Sequence, residues 1–181
     1  QPWIVHVVTG KALAALKRRL SERLDRETPD ASEYEIYPRG LWEPHRTWRR
    51  NAGKGRYAAL GFEEKSEEGR LDLLRRNYAF FDAPVGLFFC IDRRMGPPQW
   101  ADLGMFMQTV MLLAVERGLD TCPQEIWANA SDTVGDVLNI PPATMLFAGM
   151  ALGYRDATAP LAAVDTERAD AEQYIFTHAE T

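Results

Sequence analysis

The chain has little cysteine, little histidine and no excess of positive charge, and each shortage closes a class of function. Two cysteines, Cys90 and Cys122, stand far apart with no Cys-x-x-Cys spacing. Neither a disulfide framework nor a zinc site is expected, and a reducing cytoplasm is the default location. Three histidines offer no His-x-x-x-His or His-Glu-x-x-His pattern. His6 falls in a strand-like run, His45 in a polar stretch and His178 near the end. None sits beside a candidate nucleophile, and Gly-x-Ser-x-Gly is missing, so no Ser-His-Asp arrangement emerges. Lys and Arg number 21 against 26 Asp and Glu, a net charge of −5. That balance argues against a general nucleic-acid surface and leaves room only for a local basic patch. No apolar run reaches the roughly 18 residues that span a bilayer, and no signal peptide opens the chain. Glycine-rich phosphate loops are absent too; Ala52-Gly53-Lys54-Gly55-Arg56 is too short a likeness to count.

What is present reads as one globular domain over residues 1–181, with 46% hydrophobic and 26% charged residues. Residues 2–10, PWIVHVVTG, are β-branched and apolar, which predicts a buried strand. Because the chain opens directly in that strand, further sequence is expected before Gln1 in the natural protein. Leu13, Leu16, Leu20 and Leu24 recur at helical spacing among charges, the mark of an amphipathic surface helix. Residues 28–62 carry turn formers, aromatics and basic residues and read as a surface excursion. A helix over 67–81 leads to VGLFFCID, residues 85–92, apolar on both faces as a central strand would be. The segment 99–117 is apolar nearly all round and predicts a helix buried between layers. A short helix capped at Ser131 or Asp132 and stopped by prolines, a buried strand over 145–154, a polar arm over 155–181 and a terminal strand QYIFTH complete the reading. Strands and helices interleave, so the inferred architecture is α+β: a mixed sheet with helices packed around it. The arm has no core of its own and is expected to lie along another surface, such as a second subunit.

The chemistry-bearing residues are sparse. His45, Arg46, Arg49, Arg50, Lys54 and Arg56, interleaved with Trp42 and Trp48, make either an anion site or a solvated face that packs its tryptophans inward. Glu63-Glu64 and Glu67-Glu68 read as the acidic start of a helix. No acid, base or nucleophile stands in a convincing arrangement, so an enzyme built from this chain would rely on a bound cofactor for its reaction. One segment is odd: in GLDTCPQEIW, residues 118–127, a proline turn is mixed with Cys122, Ile126 and Trp127, types that prefer to be out of water.

The order of several pieces resembles the FMN-dependent nitroreductase family, with its nitroaromatic and nitrobenzoate reductases of bacteria. The pieces are Gln1-Pro2-Trp3, NYAFFDAPVGLFF from Asn77 to Phe89, Trp100 to Gly104, GLDTCPQE from Gly118 to Glu125, and GMALGY from Gly149 to Tyr154. The resemblance implies a mixed central sheet sandwiched by helices and a homodimer whose interface builds two FMN sites. The arm over 155–181 would then wrap the partner subunit. By similarity, Pro123, Gln124 and Glu125 lie against the isoalloxazine ring, with the Glu125 main-chain N–H aimed at flavin N5; the alternative is a buried turn with no ligand. Asn77 would offer its amide to the pyrimidine edge or ribityl chain, or else cap the preceding helix. Gln1 matches a flavin-side position. Arg168 corresponds to a basic residue at the FMN phosphate, or is an exposed arginine in a loose arm. Trp42, Trp48 and Phe106 are candidates to stack on a small aromatic acceptor. The implied reaction is NAD(P)H-dependent reduction of nitroaromatics by alternating hydride transfer through N5. Dehalogenation, flavin breakdown and non-catalytic flavin binding are the alternatives. Two departures stand out: the family's Arg-Ser-x-Arg-like stretch would precede residue 1, and Asp170 stands where the family often has proline.

Overall fold

A computed structural model describes residues 1–25 and 30–178. The first two residues of the expected excursion, Thr28 and Pro29, and the end of the arm, 179–181, lie outside them. The chain forms two compact units, residues 1–39 with 70–156, and residues 40–69 with the described residues from 157 onward.

The first unit is built on a sheet of four strands: β1 Trp3–Thr9, β2 Val85–Asp92, β3 Asp120–Gln124 and β4 Thr144–Gly153, in the order β1-β2-β4-β3. Each pairing is antiparallel, so the sheet is not the mixed one expected. Interleaved helices suggested parallel crossovers, but here every spatial neighbour is entered in the reverse direction. β2 is central as read, buried from Gly86 to Ile91. β1 is an edge strand rather than a buried one, with Ile4 and Val7 exposed and only Val8 fully covered. The predicted terminal strand over 173–178 does not form. A 3-10 turn at Ala171–Gln173 is followed by exposed Tyr174, Ile175 and Phe176; β-prone residues without a neighbouring ladder are not enough to make a strand. Instead the fourth strand is β3, which the sequence hides behind Pro123. A proline is tolerated there because β3 is an edge, where a missing N–H leaves no ladder bond unmade.

Helices cover both faces of the sheet. α1 Gly10–Asp25 buries Leu13, Leu16 and Leu20. With α5 Ser131–Leu138 it packs on the face carrying Phe88, Cys90, Leu146 and Ala151. α3 Glu67–Tyr78 adds Leu74 and Tyr78 to that layer. The opposite face, with Leu87, Phe89, Ile91 and Met150, meets Leu103 and Met107 of α4 Pro97–Glu116. α4 is not enclosed on all sides: Met105, Leu112, Leu113 and Val115 are exposed. Its apolar circumference exceeds what one sheet face can cover.

Two helix ends differ from their sequence signals. α5 is capped neither by Ser131 nor by Asp132; the Asp30 carboxylate, a hundred residues away in the chain, accepts the Thr133 N–H at 3.0 Å. Arg23 holds Asp30 at 3.2 Å in a pair that is nearly buried. α5 stops at Asn139, left-handed at φ 54°, before the prolines are reached. After α3 the chain makes a left-handed turn of three non-glycine residues, Phe80, Phe81 and Asp82, with φ of 53°, 50° and 64°. Such conformations cost about 1–2 kcal/mol per residue. The turn inserts Phe80, fully buried, into the space beside Gly86, where a Cβ would come within 2.6 Å of its ring.

The second unit contains α2 His45–Ala59, a helix that the turn-rich composition of the excursion concealed. The arm packs on it: Val164 approaches the open side of Gly55, and the Asn51 amide donates to Glu167 at 3.4 Å. Part of the arm therefore finds its surface within its own chain.

Candidate active site

The chemistry of residues 118–127 is organised by one buried carboxamide. Gln124, last residue of β3, is 3% exposed. Its Nε2 donates to the main-chain oxygen of Asn77 at 2.8 Å and to Asn77 Oδ1 at 3.1 Å, while its Oε1 accepts from the Trp127 indole N–H at 3.3 Å. Asn77 in turn donates from Nδ2 to the Leu73 carbonyl at 2.7 Å, one turn back along α3. The pair ties the end of β3 to the C-terminal end of α3 across 47 residues of sequence. Asn77 lies within α3 and stays half-buried with hydrogen-bonding capacity left over.

The mixed character of the segment is explained by alternation. Gln124, Trp127 and Ala128 turn inward, Ile126 is half-buried, and Cys122, Pro123 and Glu125 are exposed. Glu125 opens a 3-10 turn, Glu125–Ala130, and amides at the start of a helical turn have no carbonyl within the turn to donate to. Its carboxylate also acts on Tyr34. Burial, and then this negative charge, raise the Tyr34 pKa well above the usual tyrosine value.

Trp127 was not singled out as functional from sequence. It is fully buried, stacked on Phe80 at 4.5 Å and met edge-on by Phe88 at 4.9 Å. Gly149, opposite Gln124 in the β3–β4 ladder, leaves room for its indole. The only sequence signal was an indole donor three residues after a glutamine.

Phe106 lies on the other face of the sheet, stacked flat on Trp3 at 4.6 Å. It braces Trp3, and through it the Pro2 and exposed Gln1 that precede it. In the second unit, Trp42 and Trp48 do not pack inward; both are exposed and flank His45 with ring centroids 5.5 and 5.2 Å away. Within the basic cluster, Arg46 pairs with Glu43 and Arg50 with Glu64. Arg168 is exposed and donates to the Thr166 carbonyl at 2.7 Å.

The family model described as "Nitroreductase family" matches residues 1–154. This chain belongs to the nitroreductase family. It is 37% identical over 185 residues to the chloronitrobenzene nitroreductase of Comamonas testosteroni, covering 98% of this chain and 79% of that one. With the 4-nitrobenzoate reductase of Pseudomonas putida it shares 34% identity, over 98% of this chain and 77% of the relative. The fold matches the crystal structure of the FMN- and NADPH-dependent nitroreductase NfnB from Sphigopyxis sp. strain HMH with a TM-score of 0.93 and 40% identity, over 99% of this chain and 81% of that one. The donor set suits the family's cofactor. An isoalloxazine presents alternating acceptors and an N–H on its pyrimidine edge, and Asn77, after its bonds to Gln124 and Leu73, retains both a donor and an acceptor.

Proposed function

We propose that this chain is an FMN-dependent, NAD(P)H-oxidising reductase of nitroaromatic compounds. The observation that carries the reading is the Asn77–Gln124 lock presenting exposed Glu125 at the head of a turn, in a chain 34–37% identical to a 4-nitrobenzoate reductase and a chloronitrobenzene nitroreductase. When bound, FMN would supply the redox chemistry, hydride exchange between NAD(P)H and the nitro acceptor. The chain supplies position. The Glu125 main-chain N–H is the donor for N5, a preorganised dipole whose value grows as water is excluded. Pro123 stiffens the approach to it. Asn77 and Gln1 hold the ring and ribityl portions, and Arg168 meets the phosphate, where a guanidinium can bond in bidentate fashion. Trp42 and Trp48 stack on the aromatic acceptor, and Phe106 contributes by bracing Trp3.

The active form is a homodimer. The support is the apolar outer face of α4, with Met105, Leu112, Leu113 and Val115 exposed, and the exposed Tyr174, Ile175 and Phe176 of the arm. No helix among the described residues is long and apolar enough to cross a membrane. A cytoplasmic location fits two cysteines outside any disulfide and a need for NAD(P)H.

The purified protein should be yellow, bleach on addition of NADPH without oxygen, and regain colour with 4-nitrobenzoate. Bound FMN that NADPH and NADH fail to bleach would replace the reductase with a flavin-binding protein, and a monomer by sedimentation would overturn the dimer.

A further inference from the structure

The hydrogen bonds around Gln124 have a direction that elementary chemistry fixes. An indole N–H can only donate, so the atom of Gln124 facing Trp127 is oxygen. A main-chain carbonyl can only accept, so the atom facing Asn77 O is the amide nitrogen. Both ends of the carboxamide agree on one orientation. The same logic passes to Asn77: Gln124 Nε2 requires an acceptor at Asn77 Oδ1, and the Leu73 carbonyl requires a donor at Asn77 Nδ2. The Asn77 amide is therefore oriented twice over, with one N–H and one lone pair left for a ligand.

The indole end of this chain of bonds cannot turn away. The Trp127 ring is stacked on Phe80, met by Phe88 and Tyr78, and lies in the space that Gly149 leaves. Phe80 is delivered to it by the left-handed turn, which gives that strained backbone a purpose.

We propose that Trp127 is a positioning residue which, through Gln124 and together with the Asn77 and Leu73 main-chain carbonyls, holds the donor–acceptor polarity of the Asn77 amide toward the bound flavin. Gln124 then acts by its side chain as a relay rather than as a ligand, its carboxamide being used inside the protein. The proposal rests on the functional reading above, and its test has an arm independent of it.

Trp127→Phe keeps an aromatic ring and deletes the donor. Val134→Ala, in the same core layer but outside the relay, serves as a control for lost stability. Trp127→Phe is expected to weaken FMN binding to the apoprotein about 10-fold, the effect of roughly 1.4 kcal/mol of lost preorganisation. It should also shift the midpoint potential of the bound flavin. Val134→Ala should lower the thermal midpoint, leave FMN affinity within 2-fold of wild type and leave the potential unshifted. If Trp127→Phe does not fold, Gln124→Met, similar in shape but lacking both polar ends, is read by FMN affinity, potential and the exchange of the Asn77 amide. The independent arm is NMR of the flavin-free chain. The side-chain amide protons of Gln124 and Asn77 should exchange slowly in the wild type and rapidly in Trp127→Phe. Equal exchange in the two proteins, or equal FMN affinity and potential, overturns the relay. A wild type that takes up no FMN overturns the functional reading, while the exchange measurement still decides the relay.

Discussion

The Trp127 indole occupies the space where a side chain on Gly149 would stand. A Cβ at Gly149 would come within 2.6 Å of the indole nitrogen, closer than such atoms can approach. Gly149→Ala must therefore push the indole off Gln124 or bend β4. Overpacking of this kind costs about 1–3 kcal/mol, and the thermal midpoint should fall by roughly 2–4 °C for each kcal/mol in a chain of this size. FMN affinity should fall with it. Gly135→Ala, in α5 with nothing near its Cβ, should instead stabilise by about 0.5–1 kcal/mol. A Gly149→Ala protein that melts with the wild type would show that the indole does not need that space.

The Glu125 side chain is exposed and its proposed role is carried by the main chain, which separates two substitutions. Glu125→Ala keeps the N–H and should leave nitroreductase kcat within about 3-fold, since that loss amounts to under 1 kcal/mol. Glu125→Pro deletes the N–H. The backbone can accept it with a small adjustment: Gln124 has φ −140° and ψ 94°, extended and about 25° short of the ψ range that a following proline favours, and proline suits the first position of a helical turn. The Pro variant should fold, yet lose about 10²-fold in kcat as a preorganised donor does when removed. Stopped-flow reduction by NADPH reads both variants. Equal rates would remove the Glu125 amide from the mechanism.

Much of this frame could be read from the residues. The leucine spacing of α1, the apolar run of β2 and the family pieces around Asn77 and Glu125 were visible because each is encoded locally. What stayed hidden depends on partners far away in sequence. β3 contains a proline and is a strand only because β4 lies beside it as its single neighbour. α5 takes its cap from Asp30, and residues 173–178 lack a neighbouring strand to pair with. In the site, Asn77 and Gln124 were both legible as candidates. Their bond to each other, and the dependence of Gln124 on Trp127, were not, because no local pattern couples residues 47 apart.

Glu33 fastens residues 30–34 onto the sheet. Its nearly buried carboxylate takes both Arg93 Nη atoms, at 2.6 and 2.9 Å, and accepts the Leu146 N–H at 3.3 Å. Arg93 is about half exposed and can regain water if the pair is broken. The cost of Glu33→Ala should therefore be that of lost charged hydrogen bonds, about 1.5–3 kcal/mol, rather than that of a stranded buried charge. Glu33→Gln, keeping the shape and one acceptor, should lose less. Urea unfolding measures both, and a neutral Glu33→Ala would show that the Asp30 and Tyr34 bonds hold this segment without the Glu33 carboxylate.

Tyr34 provides a pH dependence whose sign can be worked out. Its hydroxyl donates to the Phe147 carbonyl at 2.6 Å, and burial, followed by the Glu125 charge, keeps its proton on well above the usual tyrosine pKa. Between about pH 10, where an unfolded tyrosine ionises, and the higher folded value, the unfolded chain holds fewer protons than the folded one. Stability therefore falls as pH rises through that window and is complete below it. Cys90 behaves alike from a lower start: burial, and secondarily the Glu33 charge, push its thiol up to about 12, so its share of the loss begins near pH 8.5 or so. Tyr34→Phe should cost about 1 kcal/mol at pH 7, the worth of the hydrogen bond. Above about pH 10 the wild type loses the Tyr34 contribution and the variant has none to lose. The gap between them should narrow from there upward, while the Cys90 loss continues in both. Urea unfolding at neutral, moderately alkaline and strongly alkaline pH follows this directly, and a gap that stays constant across the series would mean that Tyr34 does not hold its proton any more tightly in the folded chain.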